Sequence, residues 1–555
     1  MAAKKKATGR KKAAGRSTGK KATRKKATKK KATKKKATKK KATKKKATGK
    51  KPVKKKAAKK KPAVKKAARK VKRAVKKLAR KPAVRQVKRA VRKVGKKIEK
   101  ATRKPAARRA GKKLEQAKRK VRQAVRRTPL IGGRRFERAL ALGRPPTVRR
   151  LFPNSRALIV GGKYIDRAML RRGQAIALAA NARNSFVIRG VLQAAQRARA
   201  AVIIEIARSE GGTGAYCAVN LWNLARQVDA VANELGITVP VAVHADHYGI
   251  KKWSDVAVAR LEIPSLFEQG VTSIAIDASH LREDENVLAN LELAPLVPSW
   301  AGLETEVGEI KGSQGLSTRE DALYHIRALN AHGVFADWIA LNNGTTHGIQ
   351  ASDQGIQVEL TAEIHAALEP YRVSGAQHGT SGNNTERLRQ IARRTRTTKA
   401  NVATALQMLS WGLEVNDYGN AQLDEQGRFI KVPGEGVSEE MWARMVAYAE
   451  QQGWQGGSYK KLNLPFENLL LAQPQPVRQR MAKRVENFCY RLMTEVFNSA
   501  DTAELVIEEI LERGSHDAGP KVERLEDPAE WTEPKLREKA RALGGDRGPS
   551  GDYDD

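Results

Sequence analysis

The amino-terminal part of the chain lacks the residues from which a folded core is built. Its first 135 residues contain no aromatic side chain, and its first 150 contain three acidic residues against 68 Lys or Arg, a net charge of +65. The other 405 residues carry a net charge of −9. Because so basic and weakly apolar a segment cannot offset the entropy lost on folding, we expect the folded part to begin after about residue 150.

Cysteines and long apolar runs are also scarce. Cys217 and Cys489 are the two cysteines of 555 residues, too few for a disulfide framework, which argues against a small secreted scaffold. No run of about 18 apolar residues occurs, and the amino terminus lacks the apolar stretch of a secretory signal. We therefore expect no membrane span and a cytoplasmic protein that is also a candidate for nucleoid association.

The basic segment divides into two parts. Residues 24–48 repeat Lys-Lys-Lys-Ala-Thr five times, with Arg24 in place of the first lysine, and a period of five fits neither a helix nor a strand. We predict disorder over residues 1–62. Over residues 63–128, Ala, Val and Leu recur at helical spacing between prolines, which predicts basic amphipathic helical segments.

Phosphate backbones are the natural partner of such a segment, because each lysine that meets a phosphate releases condensed counterions. Without aromatic side chains for base stacking, duplex DNA or structured RNA is favoured over single strands. Composition over residues 1–128 resembles the tails of linker histones and bacterial histone-like proteins. The alternatives are a membrane surface, polyphosphate or a solubilising extension without a partner. Representative candidate contacts are Lys34, Lys35, Lys36, Lys44, Lys45 and Lys46.

The body alternates short apolar runs with amphipathic stretches, which predicts parallel strands separated by helices. Eight such units fit a (β/α)8 barrel over residues 156–420, preceded by a linker over 129–155. The predicted strands are residues 174–181, 201–207, 239–245, 271–279, 301–307, 336–343, 371–377 and 411–417.

Polar residues follow these runs, and in such a barrel the carboxyl ends of the strands carry the chemistry. Histidines with neighbouring carboxylates at equivalent strand ends predict a divalent-metal site suited to zinc, cobalt or iron. The glycine-rich segment His378-Gly-Thr-Ser-Gly and the pair His347-Gly348 predict a phosphate site on the same rim.

The ordered motifs of this region resemble the class II, metal-dependent fructose-bisphosphate aldolases between about Asn181 and Asn420. They are His-Ala-Asp-His, Ile-Asp-Ala-Ser-His-Leu, Leu-Glu-Thr-Glu-Val-Gly, Thr-His-Gly, His-Gly-Thr-Ser-Gly and Val-Asn-Asp. The resemblance implies a zinc or other divalent metal, a nearby monovalent cation, and cleavage or formation of a ketose (bis)phosphate through a metal-stabilised enediolate. Triose phosphates would be the smaller partners, and a homodimer or larger assembly is expected.

The resemblance also assigns roles to individual positions. It implies that Asp246 is the catalytic acid or base. The implied metal ligands are His247, His347 and His378, with Asp277 and Glu306 at a second or alternative metal position. The implied substrate and phosphate contacts are Gly348, Gly379, Ser381 and Asn416.

Three departures from the family pattern bear on activity. A Gly-Gly-Glu-Glu-Asp loop, whose glutamate is implicated in proton transfer, is replaced by Lys311-Gly-Ser-Gln314-Gly. An Asn-x-Asp-Thr segment is replaced by Asn-Asp-Tyr-Gly at residues 416–419, and a Gln-x-Ser after strand two by Glu205-Ile-Ala. Two alternatives to a fructose-bisphosphate aldolase therefore stay open: a lyase for another ketose phosphate, and a nucleic-acid-binding protein whose barrel holds metal without this catalysis.

Beyond the barrel, residues 421–512 have helical patterns and are predicted to form a helical extension. Residues 513–555, rich in Pro, Gly and charge, are predicted to be a disordered acidic tail.

Overall fold

The computed structural model describes residues 133–308, 315–344, 355–380, 382–417 and 419–544. The basic segments predicted over residues 1–62 and 63–128 lie outside these ranges. So do residues 545–555 of the predicted acidic tail.

Eight parallel strands close into a barrel in chain order, with β1 pairing β8. All eight are buried on both sides, as expected for parallel strands covered by helices. The (β/α)8 prediction is thereby confirmed. The strands are β1 Ala177–Asn181, β2 Val202–Ala207, β3 Val241–Gly249, β4 Ser273–Asp277, β5 Gly302–Val307, β6 Trp338–Leu341, β7 Ser374–Gln377 and β8 Thr397–Val402.

Helices of the described residues surround the barrel and continue beyond it. The first three precede β1, nine lie between β1 and the end of the barrel region, four form the extension, and the last lies in the carboxyl-terminal segment. They are α1 Arg134–Gly143, α2 Pro146–Leu151, α3 Gly162–Arg172, α4 Ser185–Ala198, α5 Arg208–Gly211, α6 Leu224–Leu235, α7 Asp255–Glu268, α8 Glu283–Leu293, α9 Arg319–Ala331, α10 Val358–Ala367, α11 Thr385–Arg394, α12 Thr404–Trp411, α13 Glu439–Gln451, α14 Asn463–Leu471, α15 Gln475–Arg491, α16 Ala503–Arg513 and α17 Glu533–Ala542. Throughout the described ranges, every helix is too short or too polar to cross a bilayer.

The eighth strand lies elsewhere than predicted. Seven predicted strands overlap β1 to β7, but residues 411–417 form no barrel strand, and β8 is Thr397–Val402. Helix α12 ends at Trp411, and Gly412 caps it in the left-handed conformation at φ +84°. The apolar residues of 411–417 belong to a different core. Trp411 and Leu413 are fully buried in a second core formed with the helical extension.

The predicted linker over residues 129–155 is also wrong for its described part. Helices α1 and α2 occupy residues 134–143 and 146–151. Phe136 and Ala139 of α1 are buried with Ile507 of α16 and Met169 of α3. Helix α3 covers the amino-terminal end of the barrel, where Gly162 approaches Ser273 and Trp338 so closely that a side chain would not fit.

The helical extension is present as predicted, but the predicted disorder after residue 513 is wrong up to residue 544. Trp531 and Leu536 are 3% and 1% exposed and pack on Tyr324 and Val287 of the barrel helices. Lys521 lies at the amino-terminal end of the barrel, with its Nζ 2.6 Å from Asp166 Oδ2. Apolar anchors spaced along a polar segment order it, although its average composition is that of a disordered tail.

Candidate metal and active site

Inward-facing polar side chains form two tiers near the carboxyl end of the barrel. Along a strand, residues two apart face the same side, so His244 and Asp246, Glu304 and Glu306, and Lys399 and Asn401 lie one above the other. The lower tier is Glu205, His244, Glu304 and Lys399, all fully buried. The upper tier is Asp246, Asp277, Glu306, His378 and Asn401, exposed by 8% or less.

An irregularity in β3 brings a sixth residue, His247, to the upper tier. In a regular strand Asp246 and His247 would face opposite sides. The β3–β4 register shifts between Ala245 and Tyr248, and His247 takes a φ of +40°. Such bulges redirect side chains, and a left-handed non-glycine residue costs about 1 kcal/mol or more. Two consecutive side chains thus reach one site.

The two described histidines of the predicted ligand set meet directly. His247 Nε2 lies 2.6 Å from His378 Nδ1, and the rings are nearly perpendicular. On its other side, His247 Nδ1 lies 3.2 Å from Glu306 Oε1 and 3.4 Å from Asp277 Oδ2. The structure therefore brings together His247, His378, Asp277 and Glu306, four of the five predicted metal ligands; His347 lies outside the described residues.

The ionisation of these groups reflects a surplus of carboxylates. Burial opposes the charged imidazole, but Glu306 and Asp246 outweigh it and raise the pKa of His247 well above its usual value. Burial and the neighbouring Asp277 raise the pKa of Glu306. Burial also opposes ionisation of Asp277, but the hydrogen bond and charge of His247 hold its pKa below the usual range. His247 is therefore protonated, because the negative charge of the surrounding carboxylates stabilises the imidazolium form.

Lys399 is the central cation of the lower tier. Its Nζ lies 2.9 Å from Glu304 Oε2, 3.4 Å from Asp246 Oδ1 and 3.4 Å from Glu205 Oε2. Burial would neutralise this amine, but these three carboxylates raise its pKa above the ordinary value. His244 is neutral in this tier, since burial and Lys399 lower its pKa to about 3.

The carboxylates around Lys399 differ in charge state. Burial disfavours the anion in each, but Lys399 and nearby histidines hold the pKa of Asp246 below its usual range and that of Glu304 at about 2. Burial and Asp246 raise the pKa of Glu205 well above its ordinary value despite Lys399. Asn401 Nδ2 also donates to Asp246 Oδ1 over 2.8 Å. Asp246 is therefore kept ionised by Lys399 in the lower tier and is also held by Asn401 in its own tier, both from strand β8.

The residues present fit a divalent metal. Ligand atoms of Asp246, His247 and His378 lie within 4.8 Å of one another, and so do those of His247, Asp277 and Glu306. Among the described residues of this cluster there are five buried carboxyl groups and one lysine, Lys399, which contacts three of them. Imidazole nitrogens with carboxylate oxygens are a donor set that suits zinc and related ions. A dication would supply the charge that His247 otherwise takes from a proton.

The predicted phosphate contacts are placed only in part. Gly379 follows His378 directly at φ +58°, a conformation that favours glycine. Gly348 and Ser381 lie outside the described residues. Asn416 does not end a barrel strand as predicted: it lies in the loop after α12, where its side chain accepts a hydrogen bond from the backbone of Asn420. The asparagine that the eighth strand delivers to the rim is Asn401.

Lys399 and Asn401 were missed because Thr-Thr-Lys-Ala-Asn-Val does not read as an apolar strand. A signal was nevertheless available. A lysine and an asparagine two apart between β-branched residues, directly after the amphipathic helix α11, predict a strand with one polar face. Asn401 Oδ1 and Asn181 Oδ1 are both buried here and have no hydrogen-bond partner among the described residues, as expected of a ligand site.

A barrel with this donor set at its carboxyl rim has the architecture of a metal-dependent enzyme. The chain belongs to the class II fructose-bisphosphate aldolase family, whose sequence profile, "Fructose-bisphosphate aldolase class-II", matches residues 165–456. An aldolase-type lyase is therefore supported. The basic segment before residue 133 is outside that match.

Individual relatives match less than half of the chain at modest identity. Fructose-bisphosphate aldolase of Streptococcus pyogenes serotype M6 is 27% identical over 266 residues, 45% of this chain and 80% of that protein. The enzyme of Streptococcus pneumoniae serotype 4 is 29% identical over 238 residues, 41% and 73% respectively. Sulfofructosephosphate aldolase of Alkalicoccus urumqiensis is 27% identical over 219 residues, 38% and 69%.

Solved structures show lower similarity. The YdjI aldolase of Escherichia coli K12 aligns with a TM-score of 0.42 at 19% identity, over 62% of this chain and 99% of that one. Fructose-bisphosphate aldolase of Campylobacter jejuni aligns with a TM-score of 0.41 at 18% identity, over 62% and 97%.

Proposed function

We propose that this protein is a divalent-metal-dependent aldolase that cleaves or forms a ketose (bis)phosphate, and that its basic segment binds nucleic acid. The observation that carries the catalytic part is the convergence of His247 Nε2 and His378 Nδ1 among buried carboxylates at the barrel rim. His247 and His378 would hold the metal together with His347, with Asp277 and Glu306 beside them. Zinc is the ion that this donor set favours.

A bound dication would supply Lewis-acid polarisation of a substrate carbonyl. The chain itself supplies the proton chemistry. When the carbon–carbon bond breaks, Asp246 accepts the proton of the hydroxyl that becomes the aldehyde, and it returns that proton in the synthetic direction. Lys399 and Asn401 keep its carboxylate ionised and oriented. Burial of the tiers strengthens these interactions because little water competes with them.

The substrate class follows from the family and from the glycine-containing rim. Gly379 beside His378, with Gly348 and Ser381, would bind a phosphate close to the metal. Relatives named for fructose bisphosphate and for sulfofructose phosphate share this degree of similarity. Both substrates belong in a test, because the chain departs from the family pattern at Gln314 and at Glu205.

The nucleic-acid part of the proposal is supported by charge. Residues 1–132 carry a net charge of +60, whereas residues 133–555 carry −4. Phosphate contacts by Lys34 to Lys36 and Lys44 to Lys46 would give strong, nonspecific, salt-sensitive binding.

The experiment that tests the catalytic proposal measures metal content and carbon–carbon cleavage on the same full-length preparation. We expect about one divalent ion per chain and release of triose phosphate from at least one ketose phosphate of a panel that includes fructose 1,6-bisphosphate and a sulfofructose phosphate. A chelator should abolish cleavage and zinc should restore it. Asp246→Ala serves as the matched control for contaminating aldolase.

A second function is favoured by one specific observation, the replacement of the family's acidic loop by Lys311-Gly-Ser-Gln314. Under this reading the barrel holds metal but does not cleave ketoses, and polyanion binding is the main activity. Metal retention without cleavage of any substrate in the panel would establish this second reading and refute the first.

A further inference from the structure

A lysine without access to solvent contacts residues of both the lower and the upper tier of the candidate site. Lys399 is fully buried, and its ammonium touches Glu304, Asp246 and Glu205 at 2.9, 3.4 and 3.4 Å. Burying an ammonium group costs free energy unless carboxylates pair with it, and the same holds for the buried carboxylates. Lys399 and its three partners therefore stabilise one another. Lys399 lies below the upper tier, so it pairs with carboxylates of the site but does not itself reach the rim.

Glu304 connects Lys399 to His378, one of the proposed metal ligands. Its Oε2 is held by Lys399, and its Oε1 accepts a hydrogen bond from His378 Nε2 over 2.7 Å. A proton on Nε2 leaves the lone pair on Nδ1, and Nδ1 is the atom that faces His247. A carboxylate that fixes the tautomer and ring orientation of a ligating histidine is a recurrent device of metal sites.

The same ammonium also reaches the proposed acid or base. Asp246 Oδ1 lies 3.4 Å from Lys399 Nζ and 2.8 Å from Asn401 Nδ2. One strand, β8, therefore positions Asp246 directly and His378 through one intermediate, although neither residue belongs to it.

We infer that Lys399 and Glu304 form a positioning relay that orients His378 for metal binding, with Lys399 acting on the metal through Glu304. The inference rests on the proposed metal-dependent function. Loss of an outer-shell partner of a metal ligand lowers metal affinity by about 10- to 100-fold. We expect that range for Lys399→Met and for Glu304→Gln in the full-length protein.

The test measures zinc affinity by competition with a chromophoric chelator, and the visible spectrum of the cobalt-substituted protein. The cobalt bands report ligand geometry, which a merely structural role would not change. Because Lys399 acts through Glu304, the double variant should be no weaker than the weaker-binding single variant. Lys521→Met is the matched control: it removes another carboxylate-paired lysine, with a side chain 8% exposed, at the opposite end of the barrel. Stability should therefore fall while zinc affinity stays unchanged.

The outcomes separate this inference from the proposed activity. If Lys399→Met does not fold, Glu304→Gln, which keeps the shape of the side chain, carries the test alone. Wild-type affinity and an unchanged cobalt spectrum in folded variants would overturn the relay, as would additive losses in the double variant or an equal loss in Lys521→Met. A protein that binds metal through the relay but cleaves no ketose phosphate would refute only the proposed reaction. A wild-type protein that binds no metal would overturn both.

Discussion

His247 Nε2 and His378 Nδ1 lie 2.6 Å apart although 131 positions separate the two residues in the chain. The first depends on a bulge in β3 and the second on the carboxyl end of β7. Nothing local to either residue specifies the pair, so the barrel as a whole creates it.

His378→Ala should remove most of the bound metal. It would leave two protein nitrogens of the proposed three, and would also leave Glu304 Oε1 buried without its donor. Metal per chain, measured after dialysis against a weak chelator, should fall from about one to a small fraction. His365→Ala is the control, because His365 is equally buried but belongs to α10. Undiminished metal in His378→Ala would refute the ligand assignment.

Asp246→Ala should separate catalysis from metal binding. Asp246 Oδ1 faces Lys399 and Asn401, whereas the nitrogens of His247 and His378 face each other. Turnover of a cleaved ketose phosphate should fall by about 10²- to 10⁴-fold, the usual contribution of general acid–base catalysis, while metal is retained. His247→Ala should lose both. Loss of metal from Asp246→Ala would instead make Asp246 a ligand.

Much of this site was predictable because barrel strands are short apolar runs and their polar ends share one rim. Strand-end reasoning predicted the polar rim, and the resemblance to class II aldolases then singled out Asp246, His247, Asp277, Glu306 and His378. The eighth strand was missed because its inward face carries Lys399 and Asn401, and such a strand is stable only where other strands supply carboxylates. The bulge at His247 depends on pairing between β3 and β4, which no local pattern encodes.

The carboxyl-terminal segment was misjudged for a related reason. Composition averages over a segment, whereas order in residues 515–544 depends on a few anchors such as Trp531 and Lys521. Their partners Tyr324 and Asp166 are about 200 and 355 positions away.

Trp531→Ala should lower the free energy of unfolding by about 3 to 5 kcal/mol, the usual cost of removing a buried tryptophan. The side chain is 3% exposed, packs against Tyr324, and donates from Nε1 to Glu526 over 3.1 Å. Thermal unfolding followed by circular dichroism measures the change. Leu525→Ala, at a residue 55% exposed in the same segment, should have little effect. Equal small effects of both changes would mean that the segment is not docked.

The raised pKa of Glu467 predicts that the free energy of unfolding depends on pH through this residue. Burial raises its pKa to about 7 from an ordinary 4.5, and its Oε2 has no hydrogen-bond partner among the described residues. The folded state therefore binds a proton that the unfolded state releases between about pH 4.5 and 7. The stability that this proton provides is complete below pH 4.5 and is lost as pH rises through 7.

Glu467→Gln removes that dependence, because a neutral amide takes the place of the carboxyl group. Relative to wild type, the variant should be equally stable near pH 4.5 and more stable by up to about 3 kcal/mol at pH 8.5. Melting temperatures of both proteins at these two pH values test it. Glu450→Gln, at an exposed residue of α13, should show the same small difference at both pH values. A gain for Glu467→Gln that is equal at both pH values would contradict the titration.

The basic segment predicts salt-sensitive binding to duplex DNA that the barrel alone lacks. Residues 1–132 carry +60 and residues 133–555 carry −4, so binding should follow the first segment. The truncated control should begin at Gly133 and not at residue 150, because removing Phe136 and Ala139 would expose the core formed by α1, α3 and α16.

Full-length protein should retard DNA of unrelated sequences at 50 mM salt with similar affinity, and should lose that affinity by orders of magnitude at 200 mM, since each phosphate contact releases a counterion. The variant that begins at Gly133 should not retard DNA at either salt concentration. It should keep its metal, because it retains α1, the barrel core and both His247 and His378. Electrophoretic mobility shifts with both proteins measure the contrast. Equal retardation by the truncated protein would place the binding surface on the barrel and refute the assignment to the lysine-rich segment.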